Sequence, residues 1–189
     1  MKRITKFLAL VATLCTAVLL AGASASTAAA TGELKFGKVG YNANGADSQL
    51  NRWKEYIDLS NTTGDSLNVK NWFTQDAWAD SANGNEAKPS DCNTAIFTSQ
   101  ALPYLDTDKD NDGAEDGLWL PAGHTIRVYT GGADDSTNDS VHTMAVNKPK
   151  CGYNGHYLGN GGDTIYVKKA DGSEVAKFSY SFEYGYWVR

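Results

Sequence analysis

The chain is short of several things, and each shortage excludes something. After residue 20 there is no second long apolar run in the 189 residues, so a polytopic membrane protein is excluded. Runs of helix-favouring Leu, Glu and Lys are scarce, and no window shows a helical hydrophobic period. Histidine occurs three times, as His124, His142 and His156, with no His-x-x-x-His or His-Glu-x-x-His spacing, which leaves zinc hydrolysis without its ligands. There is no Gly-x-Ser-x-Gly elbow and no glycine-rich phosphate cradle ahead of a helix. Basic charge is also short. Lys2, Arg3 and Lys6 precede every acid; without them 14 basic residues face 22 acidic ones, a net charge of −8. Such a chain repels polyphosphate, which disfavours nucleic acid as a default partner.

The composition that remains is that of one globular domain: 41% hydrophobic, 21% charged, with 10 Tyr and 5 Trp that suit β-structure. Residues 1–30 read as a secretory signal. A basic start precedes an apolar stretch over residues 7–20, too short for a comfortable span, and small residues follow with Ala-x-Ala sites ending at Ala23, Ala25 and Ala30. The expectation is an exported, extracellular protein with no membrane span after signal removal, and a single domain over residues 31–189.

Two cysteines follow the leader, Cys92 and Cys151. Export implies an oxidising setting and two cysteines allow one internal pairing, so a Cys92–Cys151 disulfide is expected.

Period-two alternation recurs along residues 31–189. Leu34 and Phe36, then Ile57 and Leu59, Ile126 and Val128, and Ile165 and Val167 each alternate with more polar neighbours. The run Ala176, Phe178, Tyr180 continues this parity toward the C-terminus. Asn-Gly and Asp-Gly pairs separate these runs, and Asp171-Gly172 sits between two of them as a hairpin turn. Many short strands with polar turns predict an all-β sandwich or barrel. Residues 75–103 are polar and weakly patterned, and read as a long excursion tied down by Cys92.

Four segments in order resemble the lamin tail domain family. Asn51-Arg52-Trp53-Lys54-Glu55-Tyr56-Ile57-Asp58-Leu59-Ser60-Asn61 resembles its opening strand. Leu67-Asn68-Val69-Lys70-Asn71-Trp72 is similar to its Leu-x-Gly-Trp element, with Asn71 in place of the usual glycine. Leu120-Pro121-Ala122-Gly123-His124 through Gly131 resembles its Leu-Pro-Gly strand entry, and Gly159-Asn160-Gly161-Gly162-Asp163 through Val167 its Gly-Asp strand. The resemblance implies an immunoglobulin-like β-sandwich, no catalytic residue, and a binding or structural role.

The sharpest local chemistry lies in residues 106–117. Asp108, Asp110, Asp112 and Asp116 place carboxylates at spacings that wrap a hard cation, and Gly113 allows the sharp turn between them. The twelfth position counted from Asp108 is Trp119 rather than Glu, so a full EF-hand is not expected. The spacing is similar to the calcium repeats of thrombospondin type-three segments, and Ca2+ is the expected ion. Trp78, in the polar excursion, and Tyr153 and Tyr157, flanking His156, are candidate ligand contacts. Two other readings stay open. One is a calcium-dependent adhesion or polysaccharide-binding module, whose partner would be a protein or polysaccharide. The other is an extracellular hydrolase, because the distances between the many acids cannot be read from sequence.

Overall fold

The computed structural model describes residues 33–41, 55–88, 93–130, 139–146, 158–159 and 161–181. Ten strands and one short helix appear in these segments: β1 (Leu34–Gly40), β2 (Tyr56–Asn61), β3 (Leu67–Asn68), β4 (Phe73–Asp76), α1 (Ala77–Asn83), β5 (Thr94–Ile96), β6 (Trp119–Leu120), β7 (Thr125–Tyr129), β8 (Val141–Ala145), β9 (Gly162–Lys168) and β10 (Glu174–Ser181). They form a four-stranded sheet in the order β1-β2-β7-β8, a second in the order β10-β9-β4-β5, and a small pair β3-β6. All pairings are antiparallel except β7 with β8. No helix among the described residues is long and apolar enough to cross a membrane.

Alternation builds the sandwich. Ile57, Leu59, Ile126, Val128, Ile165 and Val167 are all 0% exposed, and they come from strands of both sheets. The inward parity of β2 and β7 coincides because Ile57 pairs with Val128 and Leu59 with Ile126. Burying each such side chain contributes about 1.5–3 kcal/mol relative to exposure. Phe178 is only half-buried, although it packs on this core. It lies on β10 at the end of the second sheet, where Phe36 of β1 covers it with ring centroids 5.5 Å apart. The outer face of β2 and β7 is polar. There Arg127 makes a bidentate pair with its cross-strand partner Asp58, at 2.7 and 2.8 Å, and lies over the Tyr56 ring.

The Asp171-Gly172 turn joins β9 to β10 as expected, with Gly172 at φ 82. A side chain there would also collide with Asn85, so the hairpin and the segment after α1 meet through that glycine. Asn71 adopts φ 62, the left-handed conformation that glycine favours and asparagine tolerates. That is the physical reason Asn71 can stand where the family motif has glycine.

Within residues 75–103, the described segments 75–88 and 93–103 are more ordered than the sequence suggests. They include the end of β4, the helix α1, and β5 on the edge of the second sheet. Asp76 caps α1, accepting from the Ala79 amide at 2.8 Å, and the Asn83-Gly84 pair ends that helix. Lys168 of β9 is buried beneath α1. Its ammonium reaches Asp80, the Gly84 carbonyl (3.1 Å) and Asn85 Oδ1 (3.0 Å), and Gln75 bridges the same Asp80 and Gly84 oxygens. This buried polar lock holds a seven-residue helix too short to be stable alone.

Candidate functional site

The acidic loop is built on a rigid base. Its ends meet in a bridge between Asp106 and Trp119, where the Trp119 amide donates to the Asp106 carbonyl at 2.8 Å. Thr107 accepts from the Asp116 and Gly117 amides at 2.9 and 3.2 Å. Leu105 and Leu118 anchor the two ends in the core, and the Asn68 side chain accepts from the Leu118 amide. The tip, by contrast, is exposed.

Within the tip, Asn111 (φ 60) and Gly113 (φ 90) turn the chain back on itself. Asp108 grips that turn by accepting from the Asp112 amide at 3.1 Å and the Gly113 amide at 2.9 Å. Asp110 accepts from the Asp112 amide at 3.3 Å, and Asp112 from the Ala114 amide at 2.8 Å. As a result, oxygens of Asp108, Asp110 and Asp112 lie within 4.8 Å of one another. Asp116 stands apart from this group. One of its oxygens accepts from the Trp119 indole at 2.7 Å and the Lys109 amide at 3.3 Å. The indole bond is the main cause holding its carboxyl below the ordinary range. Lys109 lies over the Trp119 ring at 4.4 Å and adds positive charge on that flank.

The other candidates divide. Trp78 projects from α1 at 64% exposure, as its place in a polar segment suggested. Tyr153, Tyr157, Cys92 and Cys151 lie outside the described residues, as does the leader over residues 1–30. Trp72 is buried, and Trp53 lies outside the described residues.

Three features were not anticipated from sequence. Tyr104 is 71% exposed beside a recess of about 240 Å³ lined also by Gln100, Pro103, Thr143 and Met144. A carboxylate pair, Asp76 buried and Asp163 half-buried, sits at the start of α1. Burial is the main cause that pushes Asp76 up to about 6 and Asp163 above its ordinary value, and Asp163 raises Asp76 further. Finally, His124 and His142, far apart in sequence and without ligand spacing, come within 3.1 Å of each other. No local pattern signals that meeting, because it depends on β7 and β8 lying side by side.

With two facing sheets, the left-handed Asn71 ahead of Trp72 and the Gly123 turn into β7 in place, the chain can be set against known families. The sequence model described as Lamin Tail Domain matches residues 27–182. The chain belongs to the lamin tail domain family. The family has an immunoglobulin-like β-sandwich and is generally non-enzymatic, which gives this lamin tail domain the coarse character of a structural or binding module. The match begins at residue 27, just inside the leader read from sequence. A comparison with curated proteins returned no match.

Proposed function

We propose that this lamin tail domain is an exported, non-catalytic binding or structural module whose acidic loop is ordered by Ca2+. The observation that carries the calcium reading is the convergence of Asp108, Asp110 and Asp112 on one exposed turn. Carboxylates at that spacing repel one another, and a divalent cation removes the repulsion while using their oxygens. Calcium needs six to eight oxygens, so backbone carbonyls and water would complete the set, and Asp116 would join only by moving toward the other three. The rigid base at Asp106 and Trp119 lowers the ordering cost of binding.

Calorimetric titration of chelator-treated protein with millimolar calcium tests this reading. The expected outcome is measurable heat and a raised melting temperature, with roughly 2.7 kcal/mol of added stability at a hundredfold excess over Kd. Asp110→Asn should blunt both, and magnesium should do less because it demands tighter octahedral geometry. No heat and no thermal shift would reduce the segment to a solvated acidic loop.

The exposed Trp78 and Tyr104 favour a polysaccharide or protein partner, since large aromatic faces left in water suit stacking against sugar rings or side chains. Pull-down on glycan and protein panels, with and without chelator, separates a calcium-dependent partner from an independent one. Export brings with it the Cys92–Cys151 bond. In protein secreted by its own host, mass spectrometry should find both thiols oxidised, and Cys92→Ser should cost about 2–4 kcal/mol. Two free thiols would refute the pairing.

A further inference from the structure

His142 is the second residue of β8 and pairs with Ile126 of β7, so its ring shares the core-facing side of the first sheet. His124 stands just before β7. Its Nδ1 is 3.1 Å from Nε2 of His142, the ring centroids are 5.3 Å apart, and the ring planes differ by 17°. The centroid separation nearly equals the nitrogen separation plus the two ring radii. The rings therefore meet edge to edge, with the facing nitrogens close to the line between centroids. That is the geometry of an in-line N–H···N bond. Neither a face-to-face stack nor two lone pairs converging on a chelated metal would produce it.

Proton accounting then follows from one further observation. Nδ1 of His142 is buried and has no hydrogen-bond partner. Two neutral imidazoles carry two protons on four nitrogens. A proton on the buried Nδ1 would be an unsatisfied donor, so His142 carries its proton on Nε2 and donates it to Nδ1 of His124. His124 keeps its own proton on Nε2. A third proton has two places to go. On Nδ1 of His124 it confronts the N–H of His142 and breaks the bond. If the shared proton instead reverses direction, the displaced one lands on the buried Nδ1 of His142. Both routes are penalised, so the folded pair resists protonation.

We propose that the His124–His142 hydrogen bond is a proton-sensitive latch that holds β8 against β7 and loosens that strand as the pair takes up a proton. The charge environment supports this. Burial first, and His124 second, hold the His142 pKa below its ordinary 6.5. Arg127 of β7 and Asp58 of β2 pair with each other on the opposite face of the sheet. Asp139, on the turn before β8, is exposed, as is Tyr104 across the recess, and β8 carries no other titratable residue. Neither of the two influences on His142 comes from a carboxylate. Because the folded value lies below the unfolded one, the latch contributes fully above pH 6.5 and is lost progressively as pH falls below it. β8 stands at the end of the first sheet and supplies Thr143 and Met144 to the recess beside Tyr104. Loosening it therefore alters that surface.

The test is amide hydrogen exchange of residues 141–145 between pH 7.5 and 5, corrected for intrinsic rates, together with imidazole nitrogen NMR. Protection should fall on the order of tenfold across that range. The spectra should show His142 protonated on Nε2 at pH 7.5 and titrating below 6.5. In His142→Gln the amide can either donate to or accept from the His124 ring nitrogen by turning over, so protection should stay flat. Flat protection in the native protein, the same acid loss in His142→Gln, or His142 titrating at or above the ordinary value would each overturn the latch. Stoichiometric zinc at pH 7.5 shifting both rings would overturn it in favour of a metal site. Should His142→Gln fail to fold, the spectra of the native protein decide the question alone.

Discussion

Ile126→Ala tests the inward parity of the first sheet at one of its fully enclosed positions. Ile126 is fully buried, flanked across the sheet by Leu59 and His142. The substitution removes three carbons, which at about 0.8 kcal/mol each is a transfer loss of about 2.4 kcal/mol. A cavity remains between two sheets whose neighbours are held by ladder hydrogen bonds, so collapse is limited and the total should reach about 3–4 kcal/mol. For a chain of this size that lowers the melting temperature by roughly 6–16 °C. The internal control is the preceding residue. Thr125 points to the other face and is half-buried, with its hydroxyl 2.8 Å from that of Ser60. Thr125→Ala should cost only about 0.5–1.5 kcal/mol, the range of one partly solvated hydrogen bond. Urea denaturation of both variants at pH 8, above the histidine titration, gives the comparison. Equal costs, or a cost below about 1 kcal/mol for Ile126→Ala, would refute the assigned register.

Two other perturbations probe the packing around α1. Asp76 has a folded pKa of about 6 against 3.8 in the unfolded chain, so its contribution is present below about pH 4 and is lost as pH rises through 6, in total about 3 kcal/mol. Asp76→Asn keeps an oxygen for the Ala79 amide and should flatten that part of the stability–pH curve, whereas parallel curves for the two proteins would refute the assignment. Lys168→Met removes the buried ammonium beneath α1 but leaves the half-exposed Asp80 its bond from Gln75, so a loss of about 1–3 kcal/mol and faster proteolysis after Gly84 are expected. A loss under about 0.5 kcal/mol would mean that the helix is held by other contacts.

Much of this protein is written locally. A strand half-buried in a sheet must alternate every second residue, so Ile57 and Leu59, Ile126 and Val128, and Ile165 and Val167 reveal both their strands and their inward faces without any knowledge of partners. The Asp171-Gly172 hairpin is equally local, because positive φ is a property of the turn itself. So is the acidic loop, whose carboxylate spacing lies within five residues. What the sequence left hidden depends on contacts between distant segments. The helix α1 spans about two turns, too few to show a period, and it persists because Lys168, 88 residues later, bonds to its Asp80. Asp76 gains its raised pKa from burial and from Asp163 on another strand. The parallel strand β8 has no turn to announce it, since a parallel partner is reached by a crossover instead of a hairpin. The meeting of His124 and His142 follows from that crossover alone. Alternation could say which way each strand faces, but only tertiary pairing could decide which strands, and so which histidines, stand side by side.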